Sequence, residues 1–120
     1  MTYFFDTYAI IEIIKDNKNY EKYKSEDILT SILNLGELYY ALLRDFDRQV
    51  ADFWHEKLKT VSTSVDSDVV VKSMRFRFEN RKKGFSFIDC VGYVLSKELG
   101  CVFLTGDPAF EGLPNVEFVK

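Results

Sequence analysis

Apolar residues along the chain fall either into short continuous runs or into longer stretches with helical spacing. A short run rich in β-branched or aromatic side chains and bounded by polar residues is typical of a buried strand. Runs of this kind predict strands at residues 2–5, 28–32, 61–65, 101–105 and 116–119. The run at 101–105, Cys-Val-Phe-Leu-Thr, is almost wholly apolar and is followed at once by a Gly-Asp-Pro turn.

Between these runs, apolar residues recur every three or four positions, which is the spacing of one face of a helix. The spacing predicts helices after Asp6, from Asn34, over 46–58, from Asp66 or Ser67, and from Ser86 to Leu99, with a short helix inside 15–26 anchored by Tyr20 and Tyr23. Asn34 is expected to cap its helix, with Glu37 three residues later. Ser86 and Asp89 have the spacing of a capping box, and Gly100 is a natural stop.

Strands and helices therefore alternate along the chain, and this alternation predicts an α/β fold with a mainly parallel central sheet. A chain of 120 residues is long enough for one ordinary domain and too short for two. It contains no internal repeat and no low-complexity linker. We expect one domain over residues 1–120.

Composition narrows the class of protein. The chain is 47% hydrophobic and 29% charged, which is typical of a globular domain, and its net charge of −3 means that nucleic-acid binding would need a local basic patch. No apolar run is long enough to span a membrane, and the first residues lack the basic segment of a signal peptide. Cys90 and Cys101 lie among apolar residues without metal-type spacing, which predicts buried free thiols and a cytoplasmic protein.

Four acidic residues stand at corresponding places in the predicted fold: Asp6, Glu37, Asp89 and Asp107. Each one alone is typical of a helix cap, because a carboxylate accepts hydrogen bonds from the free N–H groups of the first turn. Asp6 and Asp107 directly follow strands, and Glu37 and Asp89 are expected to open helices at the same edge. The carboxyl ends of parallel strands meet at one edge of a sheet, so we expect the four carboxylates to lie together.

Clustered carboxylates repel one another, and a bound cation usually neutralises their charge. Hard cations such as Mg²⁺ and Mn²⁺ prefer oxygen ligands, and Mg²⁺ keeps waters and bridges to substrate phosphates. The chemistry that uses such a site is hydrolysis of a phosphodiester bond. The pattern therefore predicts a metal-dependent nuclease.

The ordered set of motifs resembles the PIN-domain family, and most closely its VapC-type ribonucleases, the toxins of type II toxin–antitoxin pairs. The resemblance spans the chain and rests on FFDTYAII, NLGELYYAL, FSFIDCVGYVLSKELG and VFLTGDPAF. It implies a three-layer α/β/α sandwich, often dimeric, that cleaves RNA with Mg²⁺ or Mn²⁺ and is held inactive by an antitoxin protein.

The resemblance also implies roles for single residues. Asp6, Glu37, Asp89 and Asp107 would be the catalytic acids, with Asp6, Asp89 and Asp107 as metal ligands and Thr105 as a supporting hydroxyl. The sequence departs from the family at two places. Tyr8 replaces a small residue, and Gly106, Pro108 and Ala109 replace charged residues around the last acid.

One stretch could contact an RNA backbone. Between residues 72 and 83 there are six basic residues and one acid. Basic residues at the end of a helix are also favoured by the helix dipole, so a solvated helix end is an equal alternative. In the functional interpretation, Arg75, Arg81, Lys82 and Lys83 hold phosphates.

Other site chemistries fit less well. The single histidine, His55, lies on a predicted surface helix, which excludes a histidine-rich zinc site and leaves no argument for a catalytic triad. No glycine-rich nucleotide-binding motif is present. A phosphoacceptor module would need an acid pair after the first strand and a late lysine, and the chain has neither. The second-ranked function is a catalytically silent PIN-like domain that binds RNA or a protein.

Aromatic residues make up 16% of the chain. Tyr39, Tyr40, Phe46 and Trp54 cannot all face one core easily, and exposed aromatic surface often marks an interface. A simply aromatic-rich core is the alternative. The interface interpretation predicts a homodimer and a protein partner.

Overall fold

A computed structural model describes residues 2–120, and it alternates strands with helices as the periodicity predicts. The strands are β1 (Tyr3–Phe5), β2 (Thr30–Ser31), β3 (Ser62–Thr63), β4 (Val102–Thr105) and β5 (Val116–Phe118). The α-helices are α1 (Thr7–Ile14), α2 (Ile32–Asp45), α3 (Arg48–Leu58), α4 (Ser67–Glu79) and α5 (Phe87–Glu98). Short 3₁₀ helices cover Lys18–Tyr23, Lys59–Val61, Arg81–Lys83 and Pro108–Phe110.

Every strand pairing in residues 2–120 is parallel, which confirms the predicted sheet type. β4 lies between β1 and β5, and Phe5 faces Leu104 in the register of β1 and β4. β2 and β3 form a separate pair beside β1. Two hydrogen bonds join that pair to β1: the Phe5 N–H donates to Leu29 O at 2.8 Å, and the Thr30 hydroxyl donates to Phe5 O at 2.8 Å.

Side chains alternate across the two faces of the sheet, and this alternation creates two cores. Phe4 and Phe103 point to the face covered by α4 and α5, whereas Phe5 and Leu104 point to the face covered by α1, α2 and α3. All four are fully buried. Because both faces of a parallel sheet are covered by helices, the fold is the expected three-layer α/β/α sandwich.

The start of α2 differs from the prediction. The cap is Ser31 and not Asn34: the Asn34 N–H donates to Ser31 Oγ at 3.1 Å, and the Ser31 hydroxyl donates to Asn34 Oδ1 at 2.7 Å. Asn34 is fully buried and donates from Nδ2 to the Thr7 hydroxyl at 3.0 Å, so it ties α2 to α1. Glu37 therefore lies in the second turn of α2, and the prediction that it opens the helix was wrong.

Two other boundaries moved for local reasons. The predicted strand at 28–32 is limited to Thr30–Ser31, because Ile32 already begins α2. The helix predicted over 46–58 begins only at Arg48, because Asp47 caps it through Val50 N, and Phe46 instead ends α2. Asp66 caps α4, one of the two caps that the sequence allowed.

The structure places both cysteines in the core, and it places some of the aromatic residues in the core and others at the surface. Cys90 and Cys101 are buried free thiols, as expected, and burial raises the pKa of Cys90 to about 11. Tyr40 and Phe46 are exposed, while Trp54 packs against the core between the sheet and α1 to α3. None of the helices within residues 2–120 is long and apolar enough to cross a membrane.

Gly106 is a point of close backbone approach at the end of β4. A Cβ atom placed there would overlap both the Tyr8 ring and the carbonyl oxygen of Val119. Two of the residues that depart from the family pattern, Tyr8 and Gly106, are therefore complementary in space. The Tyr8 ring fills the room that a side chain at position 106 would need.

We expect Gly106→Ala to lower the free energy of unfolding by about 1–3 kcal/mol, because backbone atoms of Val119 cannot yield as a flexible side chain could. Gly36→Ala is the matched control: Gly36 lies inside α2, and a Cβ there meets no atom. That control should gain up to about 1 kcal/mol from helix propensity. Urea denaturation measures both, and equal midpoints for Gly106→Ala and wild type would contradict the overlap.

Candidate metal-binding and catalytic site

The structure brings the four predicted acids together. Asp6, Glu37, Asp89 and Asp107 all line one open cavity of about 470 Å³. The cavity lies where β1 and β4 end and where α1 and α5 begin. Chain segments far apart in sequence thus meet at the carboxyl edge of the sheet, as the parallel topology requires.

Asp6 is the most buried of the four acids. It follows β1 directly, its side chain is held by the end of β4, and the residue is 3% exposed. Oδ1 accepts from the Thr7 N–H at 2.9 Å, and Oδ2 accepts from the Thr105 hydroxyl at 2.7 Å. Phe5 pairs with Leu104 in the register of β1 and β4. The residues that follow them in the chain, Asp6 and Thr105, therefore lie opposite each other. The register thus fixes the orientation of this carboxylate.

Burial raises the pKa of Asp6 to about 7. The hydrogen bond from Thr105 opposes the shift, and the charges of Asp89 and Glu37 add to it. A buried carboxylate near other carboxylates holds its proton because its charged form has lost solvent and faces like charges.

Glu37 and Asp89 lie on two different helices that border the cavity. Burial raises the pKa of both carboxyl groups, and the charge of Asp89 adds to the shift at Glu37. Asp89 is also the acid of the predicted capping box: its Oδ2 accepts from the Ser86 N–H at 2.9 Å, and its own N–H donates to Ser86 Oγ at 3.1 Å. One carboxylate oxygen therefore serves the helix start while the side chain faces the cavity.

Asp107 follows β4 and caps the 3₁₀ helix that comes next. Its Oδ1 accepts from the Ala109 N–H at 3.0 Å, and its own N–H donates to the Thr105 hydroxyl at 3.1 Å. The Thr105 hydroxyl therefore bridges Asp6 and the backbone of Asp107. Asp107, like Asp89, therefore caps a helix and also lines the cavity.

The donor set fits a hydrated divalent cation. Within residues 2–120, no three acidic, histidine or cysteine side chains are arranged to enclose an ion by themselves. None of the four acids forms an ion pair within the same part of the chain. Mg²⁺ usually keeps several waters and takes only one or two carboxylates directly, so a loose cluster of one buried and three partly exposed carboxylates without ion-pair partners suits it.

The predicted basic residues lie outside the cavity. Arg81 donates to the carbonyl oxygen of Phe78 at 2.8 Å, and its guanidinium lies 4.5 Å from the centre of the Phe78 ring. Arg75 borders a separate groove on α4, and Lys82 and Lys83 are exposed in the 3₁₀ helix after it.

Six residues that line the cavity are not predicted by the sequence as parts of a site, and Thr7, Ile11 and Ala41 are three of them. Tyr40 and Arg44 line it from α2, and Tyr8 lines it from α1. Helical spacing could have found the first two, because positions 37, 40 and 44 lie on one face of a helix. The sequence analysis placed the cap of α2 at Asn34, so Glu37 was interpreted as part of the helix start. Its position on one face of α2 with residues 40 and 44 was therefore not recognised.

Comparison with known proteins gives a family and a fold. The family model described as PIN domain matches residues 3–115. The search of curated proteins returned no significant match.

Solved structures with the same fold include toxins and toxin–antitoxin complexes. VapC20 of Mycobacterium tuberculosis, described as a Sarcin-Ricin loop cleaving toxin, superposes with a TM-score of 0.84 at 18% identity, over 99% of this chain and 100% of that one. A toxin–antitoxin complex from Klebsiella pneumoniae gives 0.74 at 15% identity, over 98% and 96%. DNA-bound VapBC from Salmonella typhimurium gives 0.71 at 17% identity, over 98% and 96%.

Identities this low show a shared fold, while the family match covers nearly the whole chain. That match includes all four acids that meet in the cavity. The chain belongs to the PIN domain family.

Proposed function

We propose that this protein is a Mg²⁺- or Mn²⁺-dependent endoribonuclease that hydrolyses phosphodiester bonds of RNA. The observation that carries the proposal is the meeting of four carboxylates, from four separate chain segments, in one open cavity without an ion-pair partner among residues 2–120. Such an arrangement costs stability in the folded protein, and a bound cation removes the cost.

Each acid has a proposed role. Asp6, Asp89 and Asp107 hold the cation, directly or through its waters, and Thr105 holds Asp6 in the orientation that the cation needs. When bound, the cation supplies positive charge that activates water and stabilises charge developing on phosphate oxygens. The raised pKa of Glu37 suits a carboxylate that accepts a proton from the attacking water.

We further propose that the protein is the toxin of a toxin–antitoxin pair and forms a homodimer. Support comes from the similar structures, which include a toxin–antitoxin complex and a Sarcin-Ricin loop cleaving toxin. Exposed aromatic side chains, Phe46 and Phe53 among them, offer apolar surface for a protein partner.

The test is cleavage of single-stranded RNA by purified protein. Cleavage is expected with Mg²⁺ or Mn²⁺, should stop when a chelator removes the metal, and should return when metal is restored. RNA binding without cleavage under every metal condition would instead favour a catalytically silent RNA-binding domain.

The basic stretch is proposed as a second contact with the RNA backbone. Replacing Arg81, Lys82 and Lys83 together by Gln should weaken RNA binding across sequences. For a single strand, removing one phosphate contact should lower the log–log salt slope of binding by about 0.7. Fluorescence anisotropy over a range of salt concentrations measures the slope.

A control with the same change in charge separates a local contact from net charge. Lys15, Lys18 and Lys22 are exposed on the segment after α1 and do not line the cavity. Their triple replacement by Gln should leave the salt slope nearer to that of wild type. If both triple variants lower the slope equally, the basic stretch acts only through net charge.

A further inference from the structure

Tyr40 is a large aromatic side chain in the wall of the acidic cavity that packs in neither core. It is 68% exposed, whereas Tyr39, the residue before it, packs against the core between the sheet and α1 to α3. A ring that is mostly exposed contributes little to the packing of the core. Its position at the cavity is therefore not explained by folding.

Tyr40 and Arg44 share the face of α2 that carries Glu37, since they follow it by three and seven residues. Arg44 is the one basic residue that lines the cavity within the described part of the chain. Its guanidinium pairs with Asp45, from Nε to Oδ1 at 2.9 Å and from Nη2 to Oδ2 at 3.1 Å. Both partners are exposed, so this pair contributes little stability and can give way to another anion.

This face of α2 thus presents, in order along the helix, the carboxylate of Glu37, the aromatic ring of Tyr40 and the guanidinium of Arg44. Proteins that bind single strands combine aromatic side chains that stack on bases with positive charge that follows the backbone, and Tyr40 and Arg44 supply one of each. A base can reach an exposed ring only if it is unpaired, because a duplex keeps its bases stacked inside.

We propose that the Tyr40 ring stacks on an unpaired base beside the scissile phosphate and that Arg44 holds a neighbouring phosphate, so that this face of α2 positions the RNA strand against the acids. This inference rests on the proposed ribonuclease function. It assigns to Tyr40 and Arg44 contacts with the substrate that the four acids do not make.

The experiment measures binding of a short fluorescein-labelled, single-stranded RNA of mixed sequence, in an Asp89→Asn background that suppresses cleavage. A second RNA of the same length lacks its bases and keeps its ribose-phosphate backbone. Tyr40→Ala should weaken binding of the normal RNA roughly five- to a hundredfold, the range for loss of one stacked base. Tyr40→Phe should keep most of the affinity, because the ring remains.

Stacking and charge can be told apart. Tyr40→Ala should leave binding of the base-free RNA unchanged, and its effect should vary little with salt. Arg44→Gln should weaken binding of both RNAs by the same factor and lower the log–log salt slope by about 0.7. Wild type should bind duplex RNA more weakly than the single strand, whereas Tyr40→Ala should bind the two RNAs equally.

Phe53→Ala is the matched control, since Phe53 is 59% exposed on α3 and does not line the acidic cavity. It should bind both RNAs as wild type does, and thermal denaturation should show all variants folded.

Equal losses for normal and base-free RNA in Tyr40→Ala, or equal losses in Tyr40→Ala and Phe53→Ala, would overturn the proposal. That failure is distinct from failure of the ribonuclease function, in which the protein with all its native residues would not cleave RNA at all.

Discussion

Asp89→Asn is expected to slow RNA cleavage about a hundred- to a thousandfold while leaving the protein folded. The loss is of the size seen when one group that stabilises transition-state charge is removed from an active site. Asparagine has the same shape as aspartate but no charge, so it binds a divalent cation poorly. Steady-state cleavage of a single-stranded RNA with Mg²⁺ or Mn²⁺ measures the effect.

The fold should survive because the capping function of Asp89 does not need the charge. The side-chain carbonyl oxygen of the substituted asparagine can still accept from the Ser86 N–H, as Asp89 Oδ2 does at 2.9 Å. Circular dichroism and thermal denaturation should therefore show a folded variant.

Ser86→Ala is the control that separates capping from catalysis. It removes the hydroxyl that accepts from the Asp89 N–H but keeps the carboxylate. It should lower stability by about 1 kcal/mol and leave cleavage by the folded protein near wild type. Wild-type cleavage by Asp89→Asn, or an equal loss in Ser86→Ala, would reduce Asp89 to a helix cap.

The second large effect is on stability: the metal-free protein should become less stable as pH rises from about 4 to about 7, with roughly 4 kcal/mol from Asp6 alone. The source is Asp6, whose pKa burial raises to about 7 from an ordinary value of 3.8. The raised pKa values of Glu37 and Asp89 act in the same direction.

The sign follows from proton binding. Between the two pKa values, the folded protein keeps the Asp6 proton and the unfolded chain has released it. The unfolded state then binds fewer protons, so the free energy of unfolding falls as pH rises. Below the unfolded pKa both states are protonated, and the full contribution is present.

Urea denaturation at a series of pH values, with a chelator present, measures this dependence. Asp6→Asn should flatten it and should be more stable than wild type near neutral pH, because the amide carries no charge to bury. Mg²⁺ or Mn²⁺ should stabilise wild type most at the high end of the range and should have little effect on Asp6→Asn.

Asp16→Asn is the matched control, since Asp16 is an exposed carboxylate whose pKa is lowered by a hydrogen bond from Lys24. It should leave the fall in stability between pH 4 and 7 essentially as in wild type. A wild-type protein whose stability did not fall over this range, with no response to metal, would contradict the burial of Asp6 beside the other three carboxylates.

The order of elements could be predicted from the sequence because each one has a local cause. The apolar run at 101–105 contains β4 whole, and the spacing of Ser86 and Asp89 predicted a capping box that the structure confirms. The start of α2 was mispredicted because Asn34 and Ser31 are both good cap residues. Burial decided between them: Asn34 is needed inside the protein to bond Thr7.

The four acids could be predicted to meet because topology alone brings the carboxyl ends of parallel strands to one edge. What each acid experiences there could not be predicted. The pKa of Asp6 depends on its burial and on the distances to Thr105, Asp89 and Glu37, which are contacts across the fold. Tyr40 and Arg44 were missed for the same kind of reason, since their roles follow from which face of α2 borders the cavity.

The α/β class, the parallel sheet and the identity of the acids follow from the amino-acid sequence alone, because hydrophobic spacing and strand-to-helix junctions are properties of neighbouring residues. Three features depend on the folded structure: the register that sets Asp6 beside Thr105, the close approach that requires Gly106 next to Tyr8, and the shared cavity face of Glu37, Tyr40 and Arg44. These are distances between residues far apart in the chain or on one face of a helix. They exist only after packing has chosen which surfaces meet.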